Sequence, residues 1–523
     1  MRNTTSEDSR IWYIIGALGL LIGLAMRLKL ASAWETPGHG DSAFYFTVAK
    51  NIADGRGIVV DYVVYFFQGL VPLTRYAGDF WNPLAEILLS LPMLVLGKSL
   101  FNALLASIAA GTVTALAAFF AGRRFSGSTR FGILAALLSY FTPFLIVESV
   151  RTEAIIFFGA FGSTALFLAA RGRRASRSFV LAAMCTGLAH FVRQDGVLLL
   201  LTLLACVALA PIPWRNRLAW AAAVLVVHAA MLSPLLIKNY LAYGSLLQPG
   251  PARTAFMTSY EDFHAYGKEM NWDTLRAEWG LRRIITRRLH TAGENLAQVK
   301  GFMDPLLLLL ASLGAVNILL VRRYRDLHLL VPPAIYWALA FAFYSAIASF
   351  SGPGSLPKSL AVLMPFACVL IVDLVASRTR SGILLGAVIL SMAAYFGHGG
   401  YRGSYGSALY WNEIYSHYEP VRELVTADAS ARGSRPEEAV LMARDVWDVY
   451  EATGFRTVMI PNNDLETILF VARHYGVEYM LMPAPRQALE DIYLGHTPDS
   501  RFRLLGGIPG TDWKVFRIEA SPP

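Results

Sequence analysis

IWYIIGALGLLIGLAMRLKL, residues 11–30, is an apolar run with no charge before Arg27. At about 1.5 Å of rise per residue it matches the roughly 30 Å of a bilayer's hydrocarbon core. It ends in Ala31, Ser32 and Ala33, a pattern similar to a signal peptidase site, but its length favours an uncleaved span. Runs like it recur through about the first four hundred residues. The chain of 523 residues is 55% hydrophobic and 16% charged, with a mean hydropathy of +0.45. Soluble domains carry about 25% charged residues, so a water-soluble fold is excluded. The expected fold is an α-helical polytopic membrane protein of about eleven spans. They fall near 11–31, 100–121, 131–147, 154–170, 178–192, 195–210, 217–236, 302–321, 328–348, 358–376 and 382–397. Leu84–Leu96, interrupted by Pro92, is short and is expected to be re-entrant or to lie along the surface.

The formal net charge is +9. Its arginines sit in short connections between apolar runs: Arg123, Arg124 and Arg130; Arg171, Arg173, Arg174 and Arg177; Arg215 and Arg217; Arg322, Arg323 and Arg325; Arg378 and Arg380. Such clusters orient membrane helices with the basic loops in the cytoplasm, so the basicity reads as topology, with no nucleic-acid partner. The alternate connections then face outward: 31–99, 148–153, 192–195, 238–300, 349–357 and everything after 398. The three cysteines, Cys185, Cys206 and Cys368, lie in apolar runs and read as packing residues.

After Gly399 charges become regular and apolar runs shorten. Residues 1–399 are expected to form the membrane domain and 400–523 an extracytoplasmic α/β domain. The latter should hold strands near 439–443, 457–460, 477–482, 502–506 and 513–518, and helices near 412–428, 445–453, 464–475 and 486–494. It has no Gly-rich phosphate loop, metal-spaced His or Cys, or nucleophile elbow.

The first outward loop reads ETPGHGDSAFYFTVAKNIADGRGIVVDYVVYF, from Glu35 to Phe66. Asp41 opens a segment with helical spacing, Ser42 to Ile52, expected to lie along the membrane surface. Two readings stand: an N-cap of that helix, or an acid placed to accept a hydroxyl proton. Glu153, two residues after Arg151, either caps or pairs locally, or serves a substrate; Glu148 is the weaker candidate. Asp195 is expected to pair locally or to cap. Arg75, Arg193 and Lys238 are the outward cations, with snorkelling to the interface the ordinary alternative. In the long loop 238–300, Tyr240, Tyr243, Phe256, Tyr260, Phe263, Tyr266 and Trp272 suit an interfacial belt better than sugar faces, and His264 is read as a surface residue.

GDSAFYFTVAKNIADGRG (Gly40–Gly57) resembles the first-loop signature of the GT-C superfamily, in particular of the dolichyl-phosphate-mannose protein mannosyltransferases and their bacterial relatives. In that signature an acid is followed by aromatics, an Ala-x-Asn-hydrophobic-Ala pattern and a Gly-rich turn. FWNPLAEILLSLPMLVLG (Phe80–Gly97) is similar to the family's aromatic-x-Pro-Leu helix, and ESVRTEAIIF (Glu148–Phe157) to its second acidic loop. HFVRQDGVLL (His190–Leu199) and IKNYLAYGSLLQPG (Ile237–Gly250) resemble two later motifs carrying a basic residue at the outer face.

The resemblance, over about residues 10–400, implies an inverting glycosyltransferase with a lipid-linked sugar as donor substrate. It makes Asp41 the catalytic base and Glu153 the second acid, which binds acceptor, sugar or a divalent cation. Partners are then a polyprenyl-phosphate sugar, a glycan, lipid or protein acceptor, and membrane lipid, in a bacterial inner membrane. Where family members have an acidic pair, or a cation beside the Pro-Leu motif, this chain has Asp41-Ser42 and Trp81-Asn82-Pro83. The phosphate contact therefore passes to Arg75, Arg193 and Lys238. Sugar, acceptor and metal dependence stay open. A transporter or flippase of a lipid-linked glycan is the alternative, disfavoured because the acids cluster toward one face. A receptor anchored by its helices is a third reading, for which so many spans are superfluous.

Overall fold

The computed structural model describes residues 6–172, 177–321, 327–348, 355–496 and 499–519. Arg173, Arg174, Arg322, Arg323 and Arg325 of the basic connections lie outside them. The chain divides into two compact units: residues 1–33, 81–247 and 282–406 form the first; 34–80, 248–281 and 407–523 the second.

The first unit is helical. Among the described residues six helices are long and apolar enough to cross a membrane, or up to seven if one bent pair counts as a span. Five shorter apolar helices accompany them, among them Leu84–Leu96, whose thirteen residues fall short of a span. Each segment expected to cross contains an apolar helix. The segment 131–147 is broken after Tyr140, and Pro143 starts the next turn with Thr142 capping it.

Small residues let these helices approach closely. A Cβ on Gly132 would stand 2.8 Å from the Phe119 carbonyl oxygen, so Thr129–Tyr140 packs onto Leu100–Ser126 only with glycine there. Gly23 likewise leaves room for the Tyr140 ring. Arg27, fully buried, lies over that ring, 3.7 Å from its centroid, and donates to Gly23 O at 3.1 Å and Tyr140 O at 2.5 Å. Ionisable side chains are thus buried inside this unit as well: Arg27, Glu86 and Asp373 all lie in apolar helices. The cysteines are unpaired, with Cys206 and Cys368 buried.

The second unit holds a six-stranded sheet in the order Tyr62–Val63, Arg456–Met459, Val440–Ala443, Tyr479–Met482, Lys514–Ile518, Phe502–Gly507. The first four strands are parallel and the last two join antiparallel. Parallel neighbours need crossover helices, supplied by Val446–Thr453 and Leu465–Tyr475. Tyr415, Val421, Val425, Leu441 and Val515 pack in its core. The expected strands and helices of this region are present, with the last helix shorter, at Glu490–Leu494.

Its boundary differs from the one at 399. The helix Gly382–Ser416 runs unbroken through that position, in spite of Gly397, Gly399, Gly400, Gly403 and Gly406, and the division falls after Gly406. Nor is the unit contiguous. Tyr62 and Val63 pair with Thr457 and Val458 as the edge strand of the sheet, and both are buried. The pairing hides edge N–H and C=O groups that would otherwise stay open.

Candidate active site

Gly40–Ala53 forms the helix that the first loop's periodicity predicts. His39 occupies its N-cap, and Asp41 sits inside the first turn. The N-cap reading of Asp41 is thereby corrected, although an acid there still faces the positive end of the helix dipole. Asp41 is half-buried, and Ser42 to Ala49 are all buried.

Beside it in this second unit stands an aromatic group drawn from two loops. The Tyr65 ring lies 4.9 Å from Phe80, 5.6 Å from Phe263 and 6.0 Å from His264. Burial, and then the Asp41 charge, hold the Tyr65 phenol well above its usual pKa, so it stays a neutral hydroxyl. Phe263 and His264 are buried, which corrects the belt and surface readings given to them. Burial and then the Arg444 guanidinium push the His264 imidazole down to about 3. Tyr260 and Trp272 do remain exposed. Arg75 is engaged: it pairs with Asp79, and its Nε donates to Tyr62 O at 3.2 Å.

In the first unit a second polar group gathers residues from five segments. Glu153, buried just before the helix Ala154–Gly172, receives Lys358 Nζ at 3.3 Å and lies 3.9 Å from Arg151 Nη1. Arg151 also reaches Glu148 at 3.7 Å. Arg193 meets Asp195 through Nε at 3.0 Å and Nη2 at 3.3 Å, and its guanidinium lies over the Phe158 ring. Asp195 pairs, as expected, and makes no side-chain cap. It also accepts from Tyr344 Oη at 3.0 Å and from Ser359 Oγ. The neighbours Lys358 and Ser359 therefore tie the Glu153 group to the Arg193–Asp195 group. Lys238 stands exposed in the last turns of Trp214–Tyr243, and these bonds do not include it.

Lys358, Tyr344 and Ser359 were missed by sequence reasoning. The available signal was Lys358 itself, a cation directly after Pro357 at the head of an apolar run. Among the described residues no group of three or more His, Cys, Asp or Glu side chains could hold a metal ion.

The fold is similar to those of ArnT and of an archaeal oligosaccharyltransferase. ArnT from Cupriavidus metallidurans, in a structure bound to undecaprenyl phosphate, superposes with a TM-score of 0.56 over 99% of this chain and 99% of its own, at 14% identity. The Archaeoglobus fulgidus oligosaccharyltransferase in its apo form gives 0.53 over 90% of this chain and 69% of its own, at 14% identity. The oligosaccharyltransferase AglB from Archaeoglobus fulgidus, in complex with an inhibitory peptide and a dolichol-phosphate, gives 0.53 over 89% of this chain and 69% of its own, again at 14% identity. In sequence, residues 82–237 match the dolichyl-phosphate-mannose-protein mannosyltransferase family, so the chain is similar to that family through the stretch holding Glu153 and Arg193. Asp41 precedes the matched stretch. No curated protein matches the sequence.

Proposed function

We propose that the chain is an inverting glycosyltransferase that takes a sugar from a polyprenyl-phosphate carrier and places it on an acceptor hydroxyl at the extracytoplasmic face of a bacterial inner membrane. The observation that carries this reading is the superposition, over 99% of both chains, on an ArnT structure that holds undecaprenyl phosphate. The family match over 82–237 agrees with it. In this reading the 407–523 stretch is extracytoplasmic, as the arginine-rich connections require.

Asp41 acts as general base. It takes the proton of the acceptor hydroxyl as that oxygen attacks the anomeric carbon. The bond from that carbon to the phosphate oxygen breaks, its electron pair leaves with the lipid phosphate, and configuration inverts. Arg193 and Lys238 offset the charge growing on the phosphate. Arg193 suits this as a planar donor already oriented by Asp195. Arg75 is the weaker choice, since its side chain is 9% exposed against 19% for Arg193. Glu153, held by Lys358, serves the sugar or the acceptor.

The test is Asp41→Asn in purified full-length protein with radiolabelled polyprenyl-phosphate sugar. The substitution keeps size, so expression and melting should hold, while an amide takes no proton and turnover should fall by roughly 10²–10⁴. Near wild-type turnover would remove Asp41 from the role. A transporter would move the labelled lipid without forming any glycosidic bond.

A further inference from the structure

The helix Val446–Thr453 lays one face against the segment that carries Asp41, and every contact named here lies within the second unit. Glu451 accepts from Thr47 Oγ1 at 2.8 Å and pairs with Lys50 Nζ at 2.6 Å. Thr47 and Lys50 are three residues apart, on one face of the Gly40–Ala53 helix. The Glu451 side chain is 10% exposed and that of Lys50 34%, so the carboxylate end of the pair is the shielded one. One turn earlier, Trp447 lies over Gly40, where a Cβ would come within 3.4 Å of the indole. Tyr450 donates to Asp61 Oδ2 at 2.9 Å, and Asp61 also binds Arg56 at 2.7 Å, closing the loop behind the helix. Asp448, buried on the same helix, accepts from Tyr415 Oη at 3.0 Å.

The loop helix is thus held at its N-terminal end by Trp447 and at its middle by Glu451. Lys50 and Thr47 are two different elements of the same grip: one supplies charge, the other a directed hydroxyl. A half-buried acid in the first turn of a helix can aim its carboxylate only as well as the rotation of that helix is fixed.

We propose that Glu451 is a positioning residue for Asp41: by gripping Thr47 and Lys50 it sets the rotation of the Gly40–Ala53 helix and hence the direction of the Asp41 carboxylate. This rests on Asp41 being the base. It assigns the C-terminal stretch a part in turnover, through a residue more than four hundred positions downstream of Asp41 (451 against 41).

A base displaced by about 1 Å can lose roughly 10²-fold in rate. Glu451→Ala in the full chain should therefore lower kcat at least about tenfold, with donor KM within about twofold of wild type. Glu451→Gln, which still accepts from Thr47, should fall between the two. Thr47→Val with Lys50→Met removes the same grip from the other side and should reproduce the kcat loss. Exchanging the charges, Lys50→Glu with Glu451→Lys, should recover part of it. Melting temperature and binding of polyprenyl phosphate alone are measured for each variant. Wild-type kcat in Glu451→Ala, with Asp41→Asn inactive, overturns the positioning role and leaves the function standing. Turnover by Asp41→Asn overturns the functional reading instead. Loss of kcat that merely follows loss of folded protein in both grip-removing variants also overturns the positioning role.

Discussion

Lys358 Nζ stands 3.3 Å from Glu153 Oε2 across 205 positions of sequence. The acid is 2% exposed and the lysine 29%, so a carboxylate has been taken out of water against a cation that still touches it. Removing the cation takes one partner from that carboxylate, which also lies 3.9 Å from Arg151 Nη1.

Lys358→Ala should therefore lower stability in detergent. Breaking a buried pair costs about 3–5 kcal/mol, and the lysine's exposure places this pair below that range, at roughly 1–3 kcal/mol. Lys358→Ala combined with Glu153→Gln should recover part of the loss, with a coupling of about 1 kcal/mol in a double-mutant cycle. Additive effects on melting would show the two side chains to be independent.

Donor use should depend on Arg193 and Lys238. A charge-assisted contact is worth roughly 1.5–3 kcal/mol, so Arg193→Ala and Lys238→Ala should each raise donor KM about tenfold or more. The readout is a steady-state titration with a polyprenyl-phosphate sugar. If both variants keep wild-type KM, Arg193 serves only its pairing with Asp195, Lys238 only snorkels, and Arg75 becomes the next to test.

The Asp448 carboxyl should make stability fall with rising pH. Burial, and then the Asp445 charge, push it up from 3.8 to about 8. A folded-state pKa above the unfolded one means that the unfolded chain releases this proton first. The stabilisation is fully present below pH 3.8 and is lost as pH rises toward about 8. Asp448→Asn still accepts from Tyr415, and should flatten the decline in melting temperature across that window. An unchanged slope would place the titration elsewhere.

Sidedness has its own test. A reporter inserted at the exposed Gly433 turn should read extracytoplasmic, and one placed between Arg171 and Arg177 cytoplasmic. A cytoplasmic reading at Gly433 would invert the topology and remove the second unit from the outer face.

From the sequence alone, the membrane character, the positions of the apolar helices and the α/β succession after about residue 430 were legible. These features depend on local pattern: run length for a helix in lipid, and alternation of short apolar runs for strands. Asp41 and Arg193 were legible as candidates because charge beside an apolar run is conspicuous one residue at a time.

The partners of those residues were decided only in three dimensions. Nothing near Tyr62 and Val63 in the chain announces that they pair with Thr457 and Val458, because hydrogen bonding between parallel strands leaves no local periodicity. His264 reads as a surface residue within its polar loop and is buried, with the Tyr65 ring arriving from another segment to stack on it. Lys358 meets Glu153, and Glu451 meets Lys50, across hundreds of residues. A side chain's own sequence states its charge, but which opposite charge offsets it depends on where the backbone brings distant segments together, and that is settled by packing.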